Sequence, residues 1–283
     1  MSVELAFETV GQGPPVIILH GLFGSGRNWT QFAHALADTH HSVYLPDARN
    51  HGASQWAERM SYSDMAGDVL ALIEREQLHR PVLIGHSMGG KTAMALALEH
   101  PRAVGGVAVI DIAPESYVDQ FSPYVSAMRH LDVAVGVGHR QIRQTLAQGI
   151  GATTTTATTT DLLLHNLRQH DARFDWRVNL MAVAMCMRDL CAFPDPLARQ
   201  RYTGPSLFVA GADSDYVRPA SHAGIQRLFP RAHLSHIADA GHWVHADQPD
   251  ALLHALHRWL PEAGAPFTAS LCTAVPPRAV ATR

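Results

Sequence analysis

Residues 81–91 read Pro81-Val-Leu-Ile-Gly-His-Ser-Met-Gly-Gly-Lys91, and they constrain the architecture of this chain more than any other segment. An apolar run opens the stretch, and a helical pattern, Lys91–Glu99, follows it. Between them Gly85–Gly89 matches G-x-S-x-G, a sharp strand-to-helix turn in which glycines avoid side-chain clashes. Such a turn lifts the Ser87 hydroxyl above the carboxyl edge of a sheet, at a helix N-terminus. The sequence therefore predicts Ser87 as a nucleophile, with the Met88 N–H aimed where an oxyanion would form.

Short apolar runs alternate with longer helical patterns on both sides of this stretch. The alternation predicts a mostly parallel, doubly wound α/β sheet, with Leu5–Val10 as an antiparallel edge strand. The predicted parallel strands are Val16–Leu19, Ser42–Leu45, Val82–Ile84, Val104–Ile110, Leu207–Ala210 and His233–Ile237. The predicted helices are Trp29–Asp38, Ser63–Glu76, Gly89–Glu99, Pro219–Leu228 and Pro249–Leu260.

The alternation is interrupted between Pro114 and Tyr202, where helical patterns occur without a convincing strand. We predict a helical cap at 114–202, inserted late in an α/β core that comprises 1–113 and 203–260. The alternative is a pair of ordinary crossovers with a long loop. The threonine-rich stretch Thr153–Thr160 is expected to be a loop or frayed strand, because threonine is a poor helix former. Residues 261–283 are expected to form a flexible tail without function. The helical patterns of the cap are Val125–Leu131, Gln141–Leu146, Leu162–Gln169 and Val178–Leu190.

The composition excludes several classes of partner. With 22 basic and 25 acidic residues, the formal net charge is −3, which gives no electrostatic case for nucleic acid or an anionic membrane. The three cysteines form no CxxC pair, which favours a reducing compartment. No signal peptide and no run of ~20 apolar residues is visible, so no membrane span is expected. These features predict a soluble cytoplasmic protein without a membrane-spanning segment.

A serine needs a general base, and in this type of sheet the base is a late histidine after the last strand. His242 lies in the loop that follows His233–Ile237, beside Gly241, which lets the backbone turn. His245 is the competing histidine, but it lies closer to the next helix. Three aspartates follow strands at the carboxyl edge and could orient the base: Asp111, Asp213 and Asp215. Spacing alone leaves the acid open.

Several other residues have expected roles beside these. The second oxyanion N–H is expected from Leu22 or Phe23, in the loop after Val16–Leu19. Pocket-lining residues are expected to be Phe23, Met88, Trp176 and Trp243. Lys91 lies one helical turn below Ser87, so we predict a structural role rather than a Ser–Lys dyad. Histidine pairs such as His233/His236 lack the carboxylate context of a zinc site, so no metal is predicted.

Five motifs in order extend the argument: His20–Ser25, Asp47–Gly52, Gly85–Lys91, Ile110–Pro114 and Gly241–Ala246. Together they resemble a small bacterial esterase subfamily of the α/β-hydrolase superfamily, whose animal relatives are mitochondrial α/β-hydrolase-domain proteins. The resemblance covers residues 3–260. Across the superfamily the acid more often follows the later strand, where Asp213 and Asp215 lie. In this subfamily the acid is in the I-D-I-A-P motif, so the resemblance implies Asp111, with Asp215 and then Asp213 as alternatives.

The resemblance also implies a reaction. It implies a serine hydrolase that acts on small to medium acyl esters, or acyl thioesters, through an acyl-enzyme, without a metal or organic cofactor. Acyl preference would be set by the cap. A cofactor-free perhydrolase or haloperoxidase, a C–C bond hydrolase, and a non-catalytic ligand-binding protein remain as alternatives. The expected assembly is a monomer or homodimer.

Overall fold

The computed structural model describes residues 2–133, 136–151, 157–170 and 173–263. Seven strands form a sheet in the order β1-β3-β2-β4-β5-β8-β9, in which β1 pairs with β3 antiparallel and the other pairings are parallel. The predicted mostly parallel sheet with an antiparallel edge strand is confirmed. The strands are β1 (Phe7–Gly11), β2 (Pro15–Leu19), β3 (Ser42–Pro46), β4 (Val82–His86), β5 (Gly106–Ile110), β6 (Leu167–His170), β7 (Arg173–Trp176), β8 (Ser206–Gly211) and β9 (Ala232–Ile237).

Helices cover both faces of the sheet, and successive strand residues point to opposite faces. In β2, Val16 and Ile18 pack with α1 and α10, whereas Ile17 and Leu19 pack with α2 and α3. Every residue of β4 and β5 is buried as a consequence. Among the helices described, none is long and apolar enough to span a bilayer. The helices are α1 (Thr30–Ala37), α2 (Tyr62–Arg75), α3 (Met88–Glu99), α4 (Ser122–Arg129), α5 (His139–Ile150), α6 (Ala157–Leu164), α7 (Leu180–Cys191), α8 (His222–Leu228), α9 (Val244–Asp247) and α10 (Pro249–Ala263).

The segment between β5 and β8 differs from the prediction in its strands. The antiparallel hairpin β6–β7 is present, so the expectation of helices without strands there is wrong. The predicted helix Leu162–Gln169 is instead the end of α6 followed by β6. The pairing of β6 with β7 in a short hairpin overrides the local helical pattern.

Two further expectations fail in part. α6 includes part of the threonine run, and Thr159 and Thr160 are buried, so packing outweighs their poor helix propensity. The remainder of the run, 153–156, lies outside the described residues. The expected tail begins too early, because 261–263 continue α10, while 264–283 lie outside the described residues.

The register of the sheet brings distant loops together at its carboxyl edge. His86 of β4 is paired with Ile110 of β5, so the next residues, Ser87 and Asp111, leave the sheet side by side. Ile237 at the end of β9 is paired with Gly211 at the end of β8. The loop that carries His242 therefore starts two strands away from Asp111.

Candidate active site

Ser87 occupies the sharp turn between β4 and α3. Its backbone has φ +52° and ψ −116°, a strained combination for a residue with a side chain. A Cβ on Gly85 would lie 2.3 Å from the Gly89 carbonyl oxygen, and one on Gly89 would lie 2.2 Å from the Leu19 carbonyl oxygen. Only glycine fits at both positions, which explains the two glycines of the motif.

A hydrogen-bonded chain links Ser87, His242 and Asp111. The His242 Nε2 atom lies 3.1 Å from the Ser87 Oγ atom, and His242 Nδ1 lies 2.8 Å from Asp111 Oδ2. Since a carboxylate accepts, Nδ1 carries the proton and Nε2 is free to accept the serine hydroxyl proton. The Asp111 side chain is fully buried, while that of His242 is 16% exposed. The ring of His242 also stacks on Tyr216, at 4.0 Å between centroids.

Asp111 is held by two further donors from the end of β8 and the loop after it. The Ser214 hydroxyl donates to Oδ2 at 2.5 Å, and the Gly211 N–H donates to Oδ1 at 3.0 Å. The other candidate acids, Asp213 and Asp215, flank Ser214 and are exposed. Among the described hydrogen bonds, neither reaches His242, whose two ring nitrogens are bonded to Ser87 and Asp111. The sequence reasoning missed Ser214, although its position between two acids at the end of a strand was a signal.

The turn Gly21–Gly24, closed by a 2.9 Å hydrogen bond from the Gly24 N–H to the Gly21 carbonyl, carries the two predicted oxyanion donors. The Phe23 N–H donates to His51 Nε2 at 3.3 Å, so it is already engaged. Met88 is the first residue of α3, where backbone N–H groups have no carbonyl of a preceding turn to bond. Among the described hydrogen bonds, none uses the Leu22 N–H, whereas the Phe23 N–H is engaged by His51.

Buried neutral histidines fix this turn. His51 Nδ1 donates to the Arg49 carbonyl at 3.0 Å, which leaves Nε2 as the acceptor for Phe23. Burial, together with nearby His20, lowers the pKa of His51 to about 3. His20 donates from Nδ1 to the Gly21 carbonyl at 2.8 Å and accepts the Ala48 N–H at Nε2. Burial lowers the pKa of His20 as well.

Two more histidines adjoin the catalytic candidates. His86 Nε2 donates to the His242 carbonyl at 2.8 Å and so ties the His242 loop to β4. Burial holds the pKa of His86 well below its usual value. His245, the competing base, stacks on Trp29 at 4.4 Å, and burial lowers its pKa to about 4. None of the described hydrogen bonds joins His245 to Ser87.

Lys91 lies one helical turn below Ser87, and none of its described hydrogen bonds reaches the Ser87–His242–Asp111 chain. Its Nζ donates to the carbonyls of Cys191 (3.1 Å) and Ala192 (2.8 Å), at the end of α7, and it lies 4.8 Å from the centre of the Tyr117 ring. Burial lowers the pKa of Lys91 to about 7. Lys91 therefore ties α3 to α7, as the predicted structural role requires.

A cavity of about 280 Å³ opens onto Ser87 and His242. The segment between β5 and β8 contributes four largely apolar side chains to its wall: Phe121, Tyr124, Leu162 and Leu163. Phe23 and Trp243 line the cavity as predicted. Trp176 does not, because its indole N–H donates to the Met128 carbonyl at the end of α4. Within the part of the chain described, no group of three or more His, Cys, Asp or Glu side chains is arranged to hold a metal ion.

A family model described as the alpha/beta hydrolase fold matches residues 14–249. The chain belongs to the α/β-hydrolase family. It is 39% identical over 259 residues to the sn-1-specific diacylglycerol lipase ABHD11 of Xenopus tropicalis, covering 90% of this chain and 80% of that protein. It is 32% identical over 247 residues to esterase YbfF of Escherichia coli, covering 87% and 92%. The solved structure of a marine microorganism esterase superposes with a TM-score of 0.81 at 35% identity, covering 91% and 100%. The predicted fold and enzyme class, an ester hydrolase of the serine hydrolase type, are confirmed.

Proposed function

We propose that this chain hydrolyses carboxylic esters through a Ser87–His242–Asp111 triad. The supporting observation is the continuous chain of hydrogen bonds from the Ser87 hydroxyl through His242 to a fully buried carboxylate. His242 Nε2 takes the proton of Ser87 as Oγ attacks the acyl carbonyl. Asp111 holds the imidazole in the required tautomer and stabilises its charged form.

The oxyanion of the tetrahedral intermediate would be bound by the N–H groups of Met88 and Leu22. Phe23 is the less suitable donor because its N–H is engaged by His51. As the carbon–oxygen bond to the leaving group breaks, His242 gives its proton to that oxygen and the acyl group stays on Ser87. Water then loses a proton to His242 and attacks the acyl-enzyme. The acid is released, and Ser87 regains its proton from His242.

The proposed substrates are esters of small to medium acyl groups, with acyl thioesters as a variant in which His242 protonates a leaving sulfur instead of a leaving oxygen. The apolar wall of the 280 Å³ cavity suits a hydrocarbon substituent. The proposed chemistry uses the residues of this chain alone, without a metal or organic cofactor. The names of the frog lipase and the bacterial esterase agree with ester cleavage.

Ser87→Ala tests the proposal with p-nitrophenyl acetate and butyrate. Loss of the nucleophile is expected to lower kcat by at least ~10³-fold, as removal of a triad member does elsewhere. Ser63→Ala is the matched control, since Ser63 is exposed on α2, and it is expected to keep the wild-type rate. A loss below tenfold in Ser87→Ala, with the wild type active, would refute Ser87 as the nucleophile.

A further inference from the structure

Two cavities of very different size meet at Ser87. The large lobe is the 280 Å³ cavity lined by His242, Trp243, Tyr124, Leu162 and Leu163. The small lobe, of about 30 Å³, is lined by Tyr62, Met88, Lys91, Tyr117 and Leu190. Ser87, Leu22, Phe121 and Tyr216 border both lobes, so both lobes are within reach of a substrate attached to Ser87.

The chemistry of the triad assigns the two lobes. The leaving oxygen must come within hydrogen-bond reach of His242 Nε2, because that atom supplies its proton. Among the residues that line the two cavities, His242 lines the large lobe and not the small one, whereas Met88, one of the two proposed oxyanion donors, lines the small lobe only. We infer that the small lobe holds the acyl group and the large lobe holds the alcohol. The inference rests on the proposed function and specifies its substrates: esters of short acyl groups with bulky apolar alcohols.

The volume of the small lobe limits the length of the acyl group. A cavity needs roughly 10–15 Å³ to hold one water-sized group, so the small lobe of about 30 Å³ holds about two such groups. An acetyl or propionyl group places one or two carbons beyond the carbonyl and fits. A longer chain would have to displace side chains of the lobe.

Those side chains are fixed by hydrogen bonds. The Tyr62 hydroxyl donates to the Leu190 carbonyl at 2.6 Å, and the Tyr117 hydroxyl donates to the Tyr216 carbonyl at 2.7 Å. Lys91 also lines the lobe, and its Nζ atom donates to two carbonyls. A long hydrocarbon chain would have to break these bonds and place methylene groups against the polar amine of Lys91.

Two ester series test the assignment with the wild-type protein. In p-nitrophenyl esters, kcat/KM is expected to fall at least tenfold from propionate to octanoate, because the lobe excludes the added methylenes. In acetates of n-alcohols, kcat/KM is expected to rise from methyl to octyl, as the large lobe buries the chain. The reverse order in both series would overturn the assignment. Absence of turnover with every ester would instead refute the proposed hydrolase function.

A pair of variants tests the walls. Leu190→Ala enlarges the small lobe and is expected to raise the octanoate-to-propionate ratio of kcat/KM roughly tenfold. Leu163→Ala enlarges the large lobe and is expected to leave that ratio unchanged while it alters the preference among alcohols. A shift of the acyl ratio in Leu163→Ala and not in Leu190→Ala would reverse the two lobes. The wild-type series decides the inference if either variant fails to fold.

Discussion

Buried His51 makes a measurable contribution to the pH dependence of stability. Its folded-state pKa of about 3 lies far below the value near 6.5 of an unfolded chain, because burial disfavours the charged ring. Between these values the unfolded chain binds a proton that the folded protein excludes. The free energy of unfolding therefore falls as the pH is lowered below about 6.5. Well above that pH the contribution of His51 to stability is retained in full.

The size of the loss follows from the two pKa values. At pH 5, proton uptake by the unfolded chain lowers the free energy of unfolding by about 2 kcal/mol for this one histidine, against ~0.2 kcal/mol at pH 7. Gln can keep the acceptor for the Phe23 N–H that His51 Nε2 provides. His51→Gln removes the titrating group, so the stability difference between wild type and variant is expected to shift by about 2 kcal/mol, in favour of the variant, from pH 7 to pH 5.

Urea unfolding followed by tryptophan fluorescence at pH 7 and pH 5 measures this difference for both proteins. Histidines remote from His51 contribute equally to both proteins and cancel. His79→Gln is the matched control, since His79 is exposed, and its difference from wild type is expected to stay constant. A difference for His51→Gln that is the same at both pH values would refute the reasoning.

Further predictions concern the acid and the buried ion pair. Asp111→Asn is expected to lower kcat for p-nitrophenyl acetate by ~10⁴-fold, because His242 loses its correct tautomer, while Asp215→Asn keeps kcat within a few-fold of wild type. The opposite ranking would identify Asp215 as the acid of the triad. Ser214→Ala removes a hydrogen-bond donor to Asp111, so steady-state kinetics should show roughly a tenfold loss of kcat, which Ser214→Thr restores. Arg49→Met leaves the buried Asp68 carboxylate without its cationic partner, so the free energy of unfolding in urea is expected to fall by about 3–5 kcal/mol. The second change Asp68→Leu is expected to restore part of this loss, and equal stability of the single and double variants would contradict the prediction.

Local sequence determined the framework of this protein. Strands covered on both faces read as apolar runs, helices show their own period, and the sharp turn at Ser87 leaves room only for glycine on either side. These signals act over a few residues, so the sheet, the candidate nucleophile and the position of His242 could all be predicted from the chain. The five-motif resemblance then favoured Asp111.

The tertiary structure determined the contacts that depend on where side chains at the ends of loops point. Asp111 and His242 are 131 residues apart, and only the folded sheet shows that Asp111 and not Asp215 meets the imidazole. The engagement of Phe23 by His51, and the donation of Ser214 to Asp111, likewise join residues from different loops. The inward bond of Trp176 was missed for the same reason. In these cases the deciding contact joins segments far apart in sequence, and neither segment's local pattern records it. The β6–β7 hairpin is different, because its strands are only two residues apart, and it was missed because the apolar pattern of 162–169 resembles that of a helix.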